Sequence, residues 1–176
     1  MPVCRILQLG DPLLREVSRP VASAAEAGPV LTDLRDTLHD FQSAHGFGRG
    51  IAAVQIGVPL RILYIEIGGA AYRIVNPVFE FLSDEKFSLW DDCFSFPDLL
   101  VRVERSVSVR LRYEDAGGAP QVLSAERDFA ELLQHEVDHL DGILAIDRAM
   151  DRNSWCVRSE YRARHGSYPC IPPTAP

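Results

Sequence analysis

The chain has 176 residues, enough for one domain with a real core, and its 47% hydrophobic and 24% charged composition is ordinary for a globular protein. A net charge of −7 argues against DNA or general nucleic-acid binding, and the apolar runs, such as Ile62–Ile67, are strand-sized rather than membrane-spanning. The opening Met-Pro-Val-Cys-Arg lacks the apolar centre of a signal peptide, so the expected compartment is the cytoplasm, where four scattered cysteines read as free thiols.

Residues 1–28 read as an extended arm and loop, broken by Pro2, Pro12 and Pro20. A helix is expected from Pro29, with Val30, Leu34, Leu38 and Phe41 on one face and Gly46 and Gly48 ending it. Strands over 60–67 and 71–75 flank Gly68-Gly69, a hairpin signal. Residues 105–113 alternate strictly, with Val107, Val109, Leu111 and Tyr113 on one side, and a single strand is expected there. Gly117-Gly118 turns the chain into a short strand near 121–123. Ser124 is the expected N-cap of a helix over 125–140 closed by Gly142, and a second, charged helix is expected over 151–164. The expected organisation is one catalytic domain over 1–166 and a proline-rich tail over 167–176. Helix, antiparallel strands, then helix make the fold class α+β.

The chemistry starts on the late helix, at His135-Glu136-Val137-Asp138-His139. Histidines at i and i+4 share a helical face and can reach one metal ion, with Glu136 beside them to take a proton from water. A divalent ion held this way lowers the pKa of water to about 7. A third protein ligand is needed. Ala145 stands where a metzincin protease places its third histidine, which excludes that family; Glu160 is at a tolerable distance for a thermolysin-like site, though the chain is short for that architecture.

Two further segments complete a pattern: Gly48-Arg49-Gly50-Ile51-Ala52-Ala53-Val54-Gln55, which fits GxGxAAxQ, and Asp91-Asp92-Cys93-Phe94-Ser95-Phe96-Pro97. In this order, with HExDH following, the set resembles peptide deformylases. Gly10-Asp11-Pro12-Leu13-Leu14-Arg15, Asn76-Pro77, Arg105 and Leu140-Asp141-Gly142 extend the likeness over roughly residues 3 to 150. The resemblance implies antiparallel sheets packed around a central metal-binding helix, with Cys93, His135 and His139 as ligands and one position left for water. It implies ferrous iron in the cell, with zinc, nickel or cobalt able to occupy the site. It gives Gln55 and the Phe94 backbone N–H the oxyanion and Glu136 the proton, in hydrolysis of an N-formyl peptide or small molecule to formate and a free amine. Gly48 and Gly50 would let backbone approach the substrate.

The sequence departs from the family pattern in two places. Asp91-Asp92 replaces Glu-Gly: Asp91 can still pair with Arg105, but Asp92 adds a side chain beside the thiolate and the substrate path. Arg49 stands where the family has an apolar pocket residue, and Asp128 and Glu131 stand at usually aliphatic positions on the metal-facing stripe of the helix. Gly48, Arg49, Gly50, Asp92, Asp128 and Glu131 are therefore the residues expected against the substrate. Either the substrate is a polar formylated compound of a biosynthetic pathway, or Arg49 pairs with Glu131 or Asp128 and merely covers the pocket. A catalytically weak metal-binding relative is a third reading. Five arginines over 148–164 allow a weak ribosomal contact, with a solvated helix as the plainer explanation.

Overall fold

The run Ile62–Ile67 organises the molecule, because both of its faces are covered. Ile62 and Tyr64 pack with Leu31, Leu34, Leu38 and Phe41 of the first helix, while Leu63 and Ile65 pack with Leu133, Val137 and Leu140 of the second. The computed structural model describes residues 3–166; the tail expected over 167–176 lies outside the described residues.

In chain order the elements are α1 (Ala24–His45), β1 (Gly50–Ala52), β2 (Ile62–Ile67), β3 (Ala70–Leu82), β4 (Lys86–Asp92), β5 (Leu99–Ser106), β6 (Ser108–Glu114), β7 (Pro120–Glu126), α2 (Arg127–Leu140), β8 (Trp155–Val157) and α3 (Arg158–His165). An antiparallel sheet in the order β1-β2-β3-β6-β7 and a smaller one in the order β4-β5-β8 both touch α2, so the fold is α+β. Eleven of the fourteen residues of α2 are buried, which is how a helix carrying His-Glu-x-x-His comes to lie in the interior.

Several local expectations need correction. Helix α1 starts at Ala24, not at Pro29: Ser23 caps it by accepting from the Glu26 N–H, and Pro29 is accommodated in the second turn. The expected single strand over 105–113 is two strands in different sheets. The chain leaves β5 after Ser106, Val107 donates to Glu85 O at 3.0 Å, and β6 begins at Ser108. Ser124 is not a helix cap, because β7 stays in register with β6 through Ser108↔Glu126. Arg127 then takes a left-handed φ of 47° and the helix starts abruptly, with no side-chain cap. The charged helix expected over 151–164 begins only at Arg158, after β8 pairs with β5. The Gly68-Gly69 hairpin is as expected: both glycines have positive φ, and Ile67 pairs with Ala70.

Two contacts hold the N-terminal arm against the rest of the fold. Asn76, at φ 52°, sits at a register shift between β3 and β6 and clasps Val21 through both amide atoms, holding the N-terminal arm. After α2, Gly142 takes φ +71°, and a Cβ there would lie 2.4 Å from Arg15 O. Gly142→Ala should therefore cost about 2–4 kcal/mol of stability through strain and backbone displacement. Chemical denaturation checks this; a loss under about 0.5 kcal/mol would contradict the packing.

Candidate active site

Three segments meet at one cleft. The turn after β4 brings in Cys93, α2 brings in His135, Glu136 and His139, and a short 3-10 turn after β1 (Ala53–Ile56) brings in Gln55. The His139 Nε2 lies 3.2 Å from Cys93 Sγ and 3.2 Å from His135 Nε2. Cys93, His135 and His139 offer ligand atoms all within 4.8 Å of one another. A tetrahedral ion with bonds of ~2.0–2.3 Å separates its ligand atoms by about 3.3–3.6 Å, and the two separations at His139 Nε2 come close to that spacing. The thiol and two imidazoles also suit a borderline-soft divalent ion.

The surroundings orient the donors. Asp91 accepts from His135 Nδ1 at 2.9 Å, which aims the other ring nitrogen at the cluster. Arg105 donates to Asp91 at 3.1 Å, the pairing expected from the sequence, and also to Asp138, which Arg148 holds at 2.7 Å. The role of Asp91 toward His135 was not visible in the sequence, because 44 residues separate them. Burial acts to raise the Asp91 pKa, but His135 and then Arg105 outweigh it and hold it at about 2. Burial lowers the His135 pKa, and the ionised Asp91 more than reverses this, holding it well above the usual value. Burial pushes the Cys93 thiol up and the His139 imidazole down.

Glu136 is 3% exposed, and burial raises its pKa to about 7. Its Oε2 is a buried oxygen with no hydrogen-bond partner among the described residues. The close approach of Gly50 explains one glycine of the loop motif: a Cβ there would lie 2.6 Å from Glu136 Oε1. Gly48 has the same kind of reason, since a Cβ on it would lie 2.5 Å from Phe94 Cζ. Gln55 is held by its carbonyl, which accepts from Ala52 N–H at 2.9 Å. Its NH2 therefore faces Ser95 Oγ at 3.3 Å and Cys93 Sγ at 3.6 Å. Phe94 is buried in the same turn, its ring stacked 3.9 Å from that of Phe41.

A cleft of about 250 Å³ opens on this group, lined among others by Gly48, Arg49, Gly50, Asp92, Glu131 and Phe94. Arg49 pairs with Glu131 at 3.0 Å and with Asp128, so the covered-pocket expectation describes the geometry. Asp128 binds Arg49 but does not itself line the cleft. Burial, then Asp91, raise the Glu131 pKa to about 7 against the pull of Arg49. Glu131 and Asp128 together meet the Arg49 guanidinium. With these charges spent on one another, the polar-substrate reading is not favoured. Asp92 does not point a bare charge at the thiol either: Arg158 holds it at 2.8 Å, a partner 66 positions away that no local motif signals. Glu160 is exposed, pairs with Arg164, and belongs to neither metal-capable group found among the described residues, so the thermolysin-like alternative lacks its ligand.

The comparisons with known proteins agree with this geometry. The sequence profile described as Polypeptide deformylase matches residues 3–155. A peptide deformylase of Bartonella tribocorum is 41% identical over 155 residues, covering 84% of each chain. One of Heliobacterium modesticaldum is 36% identical and spans 87% of this chain and 98% of its own. The crystal structure of the Thermotoga maritima peptide deformylase superposes with a TM-score of 0.80 at 30% identity, covering 86% of this chain and all of that one. The Synechococcus elongatus enzyme, solved in complex with actinonin, gives 0.81 at 28% identity over 94% and 87% of the two chains. Motif order, a buried thiol–imidazole cluster and these likenesses lead to one assignment: the chain belongs to the peptide deformylase family of metal-dependent hydrolases.

Proposed function

We propose that this protein removes the N-formyl group from peptides by hydrolysis, releasing formate, with Cys93, His135 and His139 as ligands of one divalent ion. The supporting observation is convergence: Cys93, His135, Gln55 and Glu136, whose Oε2 has no hydrogen-bond partner among the described residues, line one cleft, and His139 packs against the thiol and the other imidazole. The ion supplies Lewis-acid activation of water at neutral pH. Ferrous iron is the ion we infer for the cell, with zinc, nickel or cobalt able to substitute at a Cys-His-His set.

The residues divide the remaining work by position. Glu136, off the ligand set, takes the proton from the attacking water and passes it to the departing amine. The Gln55 NH2, fixed by Ala52, and the Phe94 N–H donate to the oxygen of the formyl group as it gains charge. Gly48 and Gly50 give the substrate backbone a close path, while Arg49, Asp92 and Glu131 line its flank and Asp128 steadies Arg49. The nascent chain is the formylated peptide we infer, which places the work in the cytoplasm. The arginines of 148–164 would meet ribosomal RNA weakly at most. Among the described residues no helix is long and apolar enough to cross a membrane.

The functional test is formate release from formyl-Met-Ala-Ser by iron protein prepared without oxygen. Turnover of this peptide is expected. A metal-loaded protein that releases no formate from any formyl peptide would leave only the weak-relative reading. Gln55→Ala should lower kcat on the order of 100-fold, about 3 kcal/mol, with unchanged metal content. Steady-state kinetics beside metal analysis check this, and an effect below about threefold would remove Gln55 from the oxyanion role.

A further inference from the structure

The two lips of the cleft belong to different parts of the fold. Phe47 comes from the segment between α1 and β1, and Trp90 and Asp92 come from β4 of the smaller sheet. The C-terminal elements touch both. Pairing of Leu99 with Val157 fixes the first residue of α3, Arg158, beside the turn that follows Cys93. Its backbone N–H donates to Asp98 O at 2.7 Å and its Nε to Pro97 O at 2.9 Å. Its Nη2 donates to Asp92 at 2.8 Å, and its guanidinium carbon lies 4.3 Å from the centre of the Phe47 ring. Further along α3, Tyr161 meets Trp90 edge to face at 5.6 Å. The Arg158 side chain is 9% exposed, so these contacts are largely shielded from solvent.

We infer that Arg158 is a positioning residue that fastens the two lips together and sets the width of the cleft for the peptide. This rests on the deformylase reading and deepens it. One planar cation meets a carboxylate on one lip and an aromatic face on the other, which a lysine could not reproduce. Arg158 lies just beyond residues 3–155, the span that the family profile matches. It gives Asp92 a task as well: the carboxylate that replaces the expected glycine anchors the clasp, and its charge beside Cys93 is compensated.

The test uses full-length, metal-loaded protein and Arg158→Met. Amide hydrogen exchange is expected to quicken several-fold at residues 46–50 and 92–95, on both lips. For formyl-Met-Ala-Ser, KM should rise on the order of tenfold while kcat changes less than about threefold, because no reacting group is touched. Arg158→Lys should fall between the two, keeping the ion pair and losing the stacked plane. Asp92→Asn added to Arg158→Met should bring little further rise, since both act through one contact. Faster exchange confined to residues 155–165 with unchanged KM would overturn the inference, as would a fall in kcat that tracks lost metal. If Arg158→Met does not fold, Asp92→Asn decides alone: unchanged KM and unchanged lip exchange overturn the inference. A wild-type protein without formate release would defeat the functional reading, and the exchange data would still decide the clasp.

Discussion

Glu136→Gln is expected to lower formate release by on the order of 10²–10⁴-fold while the metal content stays at the wild-type value. Glutamine keeps the size and one polar oxygen, so the packing against Gly50, where the clearance is already too small for a Cβ, should survive. What is lost is the ability to take a proton. Burial, helped by Asp91 and Glu131 and opposed by His135 and Arg49, lifts the Glu136 pKa to about 7, and a cation bound at the histidines would pull it the other way. A base works deprotonated, so the wild-type rate should fall as pH drops through the acid limb. That limb should vanish in the glutamine variant. Rates across pH 5 to 9, with metal analysis of each preparation, check both parts. Residual activity within tenfold of wild type would mean that another group handles the proton.

His139→Ala is expected to remove both the ion and the activity. His139 Nε2 is the shared corner of the cluster, 3.2 Å from both the sulfur and the other imidazole. Without it only Cys93 and His135 remain, and two ligands do not hold a divalent ion at a buried catalytic site. Metal content should fall from near one per chain to near zero, and formate release to background. The fold should persist, because Leu133, Val137 and Leu140 still hold α2 against β2 and its neighbours. Elemental analysis and circular dichroism of the purified variant separate these effects. A variant that keeps a full equivalent of metal would place the ion elsewhere.

The sequence was most informative where chemistry is local. Cys93 and Gln55 stood out only through the likeness to the family motifs, whereas the i, i+4 histidines could be read because residue type and spacing carry the geometry. The Gly68-Gly69 hairpin was legible for the same reason, since two positive φ angles demand glycine. What failed was information held in long-range pairing. Alternation over 105–113 looked like one strand because side-chain period says nothing about which sheet a strand joins. Ser124 looked like a helix cap until its register with Arg110 across β6 and β7 showed otherwise. Pro29 looked like a helix start because proline suits a first turn, yet Ser23 and Glu26 provide the earlier boundary. The charged pocket was the subtlest case: the sequence left open whether Arg49, Asp128 and Glu131 meet a polar substrate or pair with one another, and the structure shows the pairing. Asp92 looked like an unpaired intruder because Arg158, its partner, sits on an element the motifs do not reach.

The direct measurement is X-ray absorption at the metal edge of the purified protein loaded with one divalent equivalent. One sulfur at ~2.3 Å and two imidazole nitrogens at ~2.0–2.1 Å, with the sulfur lost in Cys93→Ala, is the predicted coordination shell. A shell of nitrogen and oxygen alone, unchanged by that substitution, would contradict a site built from Cys93, His135 and His139.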